Sequence, residues 1–259
     1  MGLLNAILGK KNFQTLFARL HRLSLKGMNY GRASDYMNNG EEIVLKRIRR
    51  LIKTESPVLF DVGANKGEFT RRVIATWGAH DFTLYAFEPS AKTFDMLKAA
   101  LPPSPAVHLF NFGLGERKES VELFYDTAGS GLASVYPRDL SFRSIDFSAH
   151  EAISLTTLDS FCEENGIRMI DFLKLDVEGH ELAILKGGKK MFDTGSVGIV
   201  QFEFGGCNID SRTFFKDYFH FFAKDFILYR ILTDGLQEIG QYSENLEVFQ
   251  SANYLAIKK

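Results

Sequence analysis

Residues 174–181 read KLDVEGHE, and they hold Lys174, Asp176, Glu178, His180 and Glu181 in one short stretch. The apolar run MIDFL precedes them, so the patch stands at the end of a buried strand. Alternate strand residues share a face, which lets Lys174, Asp176 and Glu178 point the same way. Ionic groups at such a place are costly to bury without a task. Part of the patch has a plainer use: Glu178 and Glu181 would favour a helix start, and Lys174 would pair with Asp176. The chemistry such a set offers is proton transfer, with Asp176, Glu178 and His180 as candidate bases and His180 favoured for its near-neutral ordinary pKa. Asp176, Glu178 and Glu203 would also suit Mg2+, which prefers oxygen ligands.

A second cluster is DVGANKG at 61–67, after the apolar run PVLF. Its glycines allow a sharp turn and close approach to a ligand. It is not GxGxxG, since Asn65 replaces the second glycine, and this disfavours a dinucleotide and with it an NAD-dependent sugar oxidoreductase. Glu88 ends the next apolar run, FTLYAF, where a carboxylate can accept both ribose hydroxyls of a nucleoside. Its plainer use is as a first-turn acid of the following helix.

The elements that must position these groups alternate. Strands are expected at 57–62, 82–87, 107–112, 169–177 and 197–204, with helices between them. A short strand fits 121–126, and FILYRI and NYLAIKK fit two antiparallel strands at the end. This is an α/β doubly wound, Rossmann-like fold with a mostly parallel sheet. Ligands in such sheets bind beyond the carboxyl ends of the strands, which selects Asp61, Gly63, Asn65, Gly67, Glu88, Asn111, Asp176, Glu178, His180 and Glu203. Residues 127–152 read as a long loop, and a loop of that length in a compact domain usually has a task such as covering a site. Ser134, Arg138 and Arg143 in it could meet a substrate, and Arg suits a phosphate or carboxylate.

The N-terminal part differs. Lys10, Lys11, Arg19, Arg22, Lys26 and Arg32 occur before the first acid, Asp35. Leu3, Leu4, Ile7, Leu8, Phe13, Leu16, Phe17 and Leu20 fall at helical spacing. The commoner use of such a helix is packing on the domain or on a second subunit; the other is contact with anionic lipid or a lipid-linked substrate. A further helix fits 40–53. The division is a helical extension over 1–50 and a catalytic domain over 51–259. No apolar run is long enough to span a membrane, the start does not fit a signal peptide, and Ala6 breaks the myristoylation pattern. A net charge of −1 with no DPPY-like turn argues against nucleic acid as partner. Cys162 and Cys207 read as reduced, and the chain is expected in the cytoplasm.

In order and spacing, DVGANKG, FEP at 87–89, TTLD at 156–159 and IDFLKLDVEGHE at 170–181 resemble the FkbM family of methyltransferases over residues 57–205. The resemblance implies a class I methyltransferase fold of seven strands that uses S-adenosylmethionine. It implies that Asp61, Gly63, Asn65 and Gly67 line the methionine and ribose side, that Glu88 holds the ribose hydroxyls and that Asn111 to Leu114 border the adenine. It implies O-methylation of a sugar, polysaccharide or polyketide-type product. The rivals are the oxidoreductase and a catalytically silent nucleoside-binding module.

Overall fold

The computed structural model describes residues 7–32, 40–78 and 82–259, so Leu3, Leu4 and Ala6 lie outside it. A single turn at Lys11–Phe13 leads into α1 (Gln14–Gly27), and α2 (Glu41–Leu51) follows. Then come β1 (Val58–Val62), α3 (Glu68–Trp77), β2 (Thr83–Phe87), α4 (Ala91–Ala100) and β3 (Val107–Phe110). A side sheet is made by β4 (Gly113–Gly115), β5 (Glu119–Tyr125) and β6 (Ala149–Thr157), and β6 runs directly into α5 (Leu158–Glu164). β7 (Ile170–Leu175), α6 (Glu181–Gly187), α7 (Lys189–Asp193) and β8 (Val197–Phe204) complete the parallel part. The chain continues through α8 (Cys207–Ser211), α9 (Phe215–Phe222), β9 (Phe226–Ile231), β10 (Leu236–Glu238) and β11 (Ala252–Lys258).

The main sheet has the order β10-β9-β11-β8-β7-β1-β2-β3. From β8 to β3 all pairs are parallel, while β11 lies antiparallel between β8 and β9. This is the expected doubly wound arrangement with its antiparallel C-terminal pair. Two strands were not expected: β4, and three-residue β10, which is turned back onto β9 across residues 232–235, where the Leu232 amide bonds the Gly235 carbonyl at 2.9 Å. The expected 127–152 loop also ends sooner, because β6 begins at Ala149 and pairs along β5.

Alternation splits the strand side chains between two faces. Phe60, Phe87, Leu173 and Leu175 join one apolar cluster with Phe161, and Leu59, Leu84, Ala86 and Phe172 join the other. Phe60, Tyr85, Phe87 and Phe110 surround Phe161 with ring centroids 4.8–5.7 Å away, which accounts for part of the high Phe content. β7 is buried along its whole length, so its polar members need partners. Asp171 finds them in the Val58 amide at 2.8 Å and the Thr54 hydroxyl at 2.6 Å.

Residues 41–50, placed ahead of the domain in the sequence, pack inside it. Val44, Leu45 and Ile48 of α2 share the second cluster with Val73, Trp77 and Phe172. Packing of α1 on the domain is slight: Leu16 and Leu20 are 48% and 46% exposed, and Leu25 is the helix's one buried side chain among the described residues. No helix of the described residues is long and apolar enough to cross a membrane.

Ile48 is fully enclosed, so Ile48→Ala should destabilise the protein by about 2–5 kcal/mol in urea unfolding. A loss well under ~1 kcal/mol would make α2 an appendage.

Candidate functional site

β1 and β7 are neighbours, and a cavity of about 790 Å3 opens beyond their carboxyl ends, where binding clefts of such sheets lie. The turn after β1 forms its floor. Gly63 has φ of 84°, and a Cβ there would overlap the carbonyl oxygen of Asp176. Glycine at this position is thus required by the crossing of the two strand ends. Asn65 follows at φ 47°, a conformation Asn tolerates better than most residues. The Gly63 and Ala64 amides bond the Phe87 carbonyl, locking the turn to β2.

Glu88 lines the cavity and is 7% exposed. Its carboxylate accepts the Asn65 and Ser90 amides, each at 3.0 Å. Burial nevertheless pushes its pKa up to about 7, against the pull of those amides. The Asn65 side chain donates to the Ser130 carbonyl at 3.0 Å, while its Oδ1 is buried with no protein partner. Leu114 also lines the cavity. Three expected cofactor residues do not line it: Gly67 packs against Leu97 and Leu101, and Asp61 and Asn111 brace the surrounding turns. Asp61 is fully buried and accepts the Thr70 hydroxyl at 2.7 Å, fixing α3 to β1. Asn111 donates to the Glu88 and Pro89 carbonyls at 3.0 Å, bracing the turn that aims Glu88.

The opposite wall is the 174–181 patch. Lys174 bonds Asp176 at 2.8 Å and lies 5.2 Å from the centre of the Phe69 ring. Burial works against the charge of Lys174, but Asp176, Asp61 and Glu41 more than offset this and raise its pKa. Glu178 stands at φ 50°, with its carbonyl held by the Ser134 hydroxyl at 2.7 Å. Arg138 reaches the Glu178 carboxylate at 2.8 Å and Asp210 at 3.2 Å. Burial raises the pKa of Glu178 while Arg138 opposes it. Glu181 faces inward, accepts the Val177 and Gly179 amides at 3.0 and 3.2 Å, and so closes the turn; burial pushes it up to about 7. Burial first, then Asp176, Glu178 and Glu181, hold the Glu203 carboxyl well above its ordinary range.

His180 also borders the cavity, with both ring nitrogens turned to protein neighbours. Its Nδ1 lies 3.0 Å from the Tyr136 hydroxyl, and its Nε2 is buried against Gly115 with no partner. Burial lowers its pKa to about 4, so the ring is neutral near pH 7. Asp176, Glu178 and Glu203 border the cavity together. They do not form the expected magnesium set, since among the described residues no three His, Cys, Asp or Glu side chains are arranged to hold a metal.

The 127–148 loop does cover the site. Gly129 to Ala133 line the cavity, and the Gly129 amide bonds the Thr93 hydroxyl at 3.0 Å. Ser134 is 1% exposed and ties the loop to Glu178, which takes it out of substrate contact. Arg143 is exposed on the lining, with its guanidinium 5.6 Å from the Phe142 ring. Sequence reasoning missed Phe249, Gln250, Ser251 and Asn253, which reach the cavity only because β11 inserts beside β8 and sets Asn253 opposite Glu203. It also missed Tyr136. The chain does contain one Tyr-x-x-x-Lys spacing, Tyr254 to Lys258, of the kind an oxidoreductase would use. Tyr254 is buried in the core and Lys258 bonds the Gly195 carbonyl, so the pair is not in the cavity.

The methyltransferase FkbM domain matches residues 61–228 of the chain. The 2-O-methyltransferase NoeI of Sinorhizobium fredii is 26% identical over 157 residues, covering 57% of this chain and 63% of that protein. The hexuronic acid methyltransferase AglP of Haloferax volcanii is 28% identical over 170 residues, covering 64% of each. The chain thus spans less than two thirds of the length of these two relatives. Among solved structures, the methyltransferase FkbM of Methylobacillus flagellatus aligns with a TM-score of 0.46 at 17% identity, covering 80% of this chain and 45% of that one.

A carboxyl whose folded pKa is raised keeps its proton longer in the folded than in the unfolded state, so stability falls as pH rises between the two values. For Glu88 that window runs from about 4.5 to about 7. Glu88→Gln should therefore gain stability relative to the unmodified chain as pH rises from about 5 to 8, by up to roughly 3 kcal/mol beyond any constant offset. A pH-independent difference in melting experiments would show that Glu88 titrates normally.

Proposed function

Because the chain belongs to the methyltransferase FkbM domain family, we propose that it is an S-adenosylmethionine-dependent O-methyltransferase acting on a hydroxyl of a sugar or sugar-bearing molecule. The observation that carries this reading is one cavity walled by Gly63, Ala64, Asn65, Lys66 and Glu88 on one side and by Asp176, Glu178 and Glu203 on the other. The transferase domain on this reading starts with α2, and α1 is its extension.

The residues fit the cofactor. Asn65 Oδ1 is an enclosed acceptor without a protein donor, and Glu88 keeps lone pairs that Asn65 and Ser90 do not use. Glu88 would take the ribose hydroxyls, and Leu114 would border the adenine. S-adenosylmethionine supplies an activated methyl group on a positively charged sulfonium. A cation suits this cavity, because Glu178 and Glu203 are pushed toward the neutral form by burial and by one another's neighbours.

The protein's own work is then alignment and proton removal. A sugar hydroxyl is a poor nucleophile, so its proton must be taken as it attacks. Asp176 is the best placed group: it borders the cavity, and Lys174 binds only one of its oxygens. Lys174 is a positioning residue behind it. His180 positions Tyr136 and the loop.

One relative is named a 2-O-methyltransferase and the other a hexuronic acid methyltransferase, which supports a hydroxyl acceptor on a sugar or sugar acid. Arg143 on the lining supports an acceptor bearing a carboxylate or phosphate. Methyl transfer to a panel of neutral sugars, uronic acids and sugar phosphates tests the reading. Asp176→Asn should lower kcat by roughly 10²–10⁴-fold while S-adenosylhomocysteine affinity stays within a few-fold. Unchanged kcat would remove Asp176 as the base, and absence of transfer to every acceptor would contradict the sugar reading. Arg143→Ala should raise KM by about tenfold or more for anionic acceptors and leave neutral ones unchanged. An equal effect on both classes would show that Arg143 does not read acceptor charge.

A further inference from the structure

The helix α1 has two faces that the domain does not use. At 100° per residue, Phe13, Leu16, Phe17, Leu20 and Leu23 fall within an arc of about 120°. Leu16, Leu20 and Leu23 are 48%, 46% and 68% exposed, and Leu8 just ahead is 49% exposed. Arg19, Arg22 and Lys26 occupy the neighbouring arc, and Lys10 and Lys11 precede the helix. No Asp or Glu occurs among residues 7–32.

The helix is nevertheless fixed to the body at its C-terminal end. Leu25, on neither of those arcs, is buried. The Arg230 guanidinium bonds the Tyr30 hydroxyl at 2.6 Å and lies 4.6 Å from the centre of its ring. The Asn29 side chain donates to the Ile231 carbonyl at 3.0 Å, and the Gly31 amide to the Ser251 carbonyl at 2.8 Å. The apolar arc is thus held outward by the same contacts that anchor the helix.

We propose that α1 is a peripheral membrane helix that seats on an anionic lipid surface. An apolar arc bordered by cations is what an interfacial helix presents, its leucines entering the acyl boundary and its cations meeting anionic headgroups. A second copy of the chain would bring the same cations to the contact and repel. An anionic bilayer satisfies both faces at once. Gly31 lines the cavity directly after the anchoring turn, so seating holds the cavity wall beside the lipid surface.

Co-sedimentation of the full chain with vesicles tests this, using phosphatidylcholine alone or mixed with phosphatidylglycerol. Binding should occur only to the mixed vesicles and weaken at high salt. Each cation near such a surface is worth roughly fivefold in partitioning, so Arg19→Glu with Arg22→Glu should reduce binding by well over tenfold. Leu20→Glu with Leu23→Glu should abolish it, and both variants should melt at the temperature of the unmodified chain because the altered side chains are exposed. Failure to bind anionic vesicles, or equal binding by both variants, would overturn the proposal. So would light scattering that shows a dimer dissociated by the leucine substitutions without vesicle binding.

Discussion

The constraint on which the rest of the structure depends is the burial of carboxylates at the carboxyl end of the parallel sheet. Asp61, Glu88, Asp176, Glu178, Glu181 and Glu203 gather there; among the described residues the buried cations set among them are Lys174 and Arg138, while Lys66 and Arg143 stand exposed on the lining. Each carboxylate without a full counter-charge must be met by hydrogen bonds or held partly neutral. Glu181 takes two backbone amides, Asp61 a threonine hydroxyl and Glu88 the amides of two turns. These bonds shape the site: the turn around Glu181 sets where Asp176 and Glu178 stand, and the turn around Glu88 sets the height of Asn65.

On the proposed reading, the same imbalance favours a cationic ligand. A neutral nucleoside would leave the carboxylates as they are, whereas a cationic one supplies part of the missing positive charge. The supporting elements serve this arrangement. Gly63 lets β1 and β7 end within contact of each other, and the 127–148 loop closes over the result through Ser130, Ser134 and Arg138.

What was legible in the sequence was local. The β1 turn, Glu88 and the 174–181 patch are short runs whose strand and turn patterns place them without knowledge of distant partners. The sheet itself followed from alternating apolar runs. What was not legible depends on contacts between remote segments. Residue type alone suggested His180 as a base, but the surroundings of its ring are set by Tyr136, 44 residues earlier, and by Gly115. Asn111 sits at the expected strand end, yet its amide turns back to the Glu88 and Pro89 carbonyls. The residues 249–253 enter the cavity because of strand order, which no local pattern encodes. The helix α2 has a clear apolar stripe, but nothing in the stripe says which core it covers.

The measurement closest to the central claim is calorimetric titration of the full chain with S-adenosylmethionine at pH 6 and pH 8. Binding that is tighter at the higher pH, with protons released as buried carboxyls ionise around the cation, is the expected result. Absence of binding, or equal affinity at both pH values, would contradict a cavity whose buried carboxylates outnumber its buried cations and so favour a cationic nucleoside.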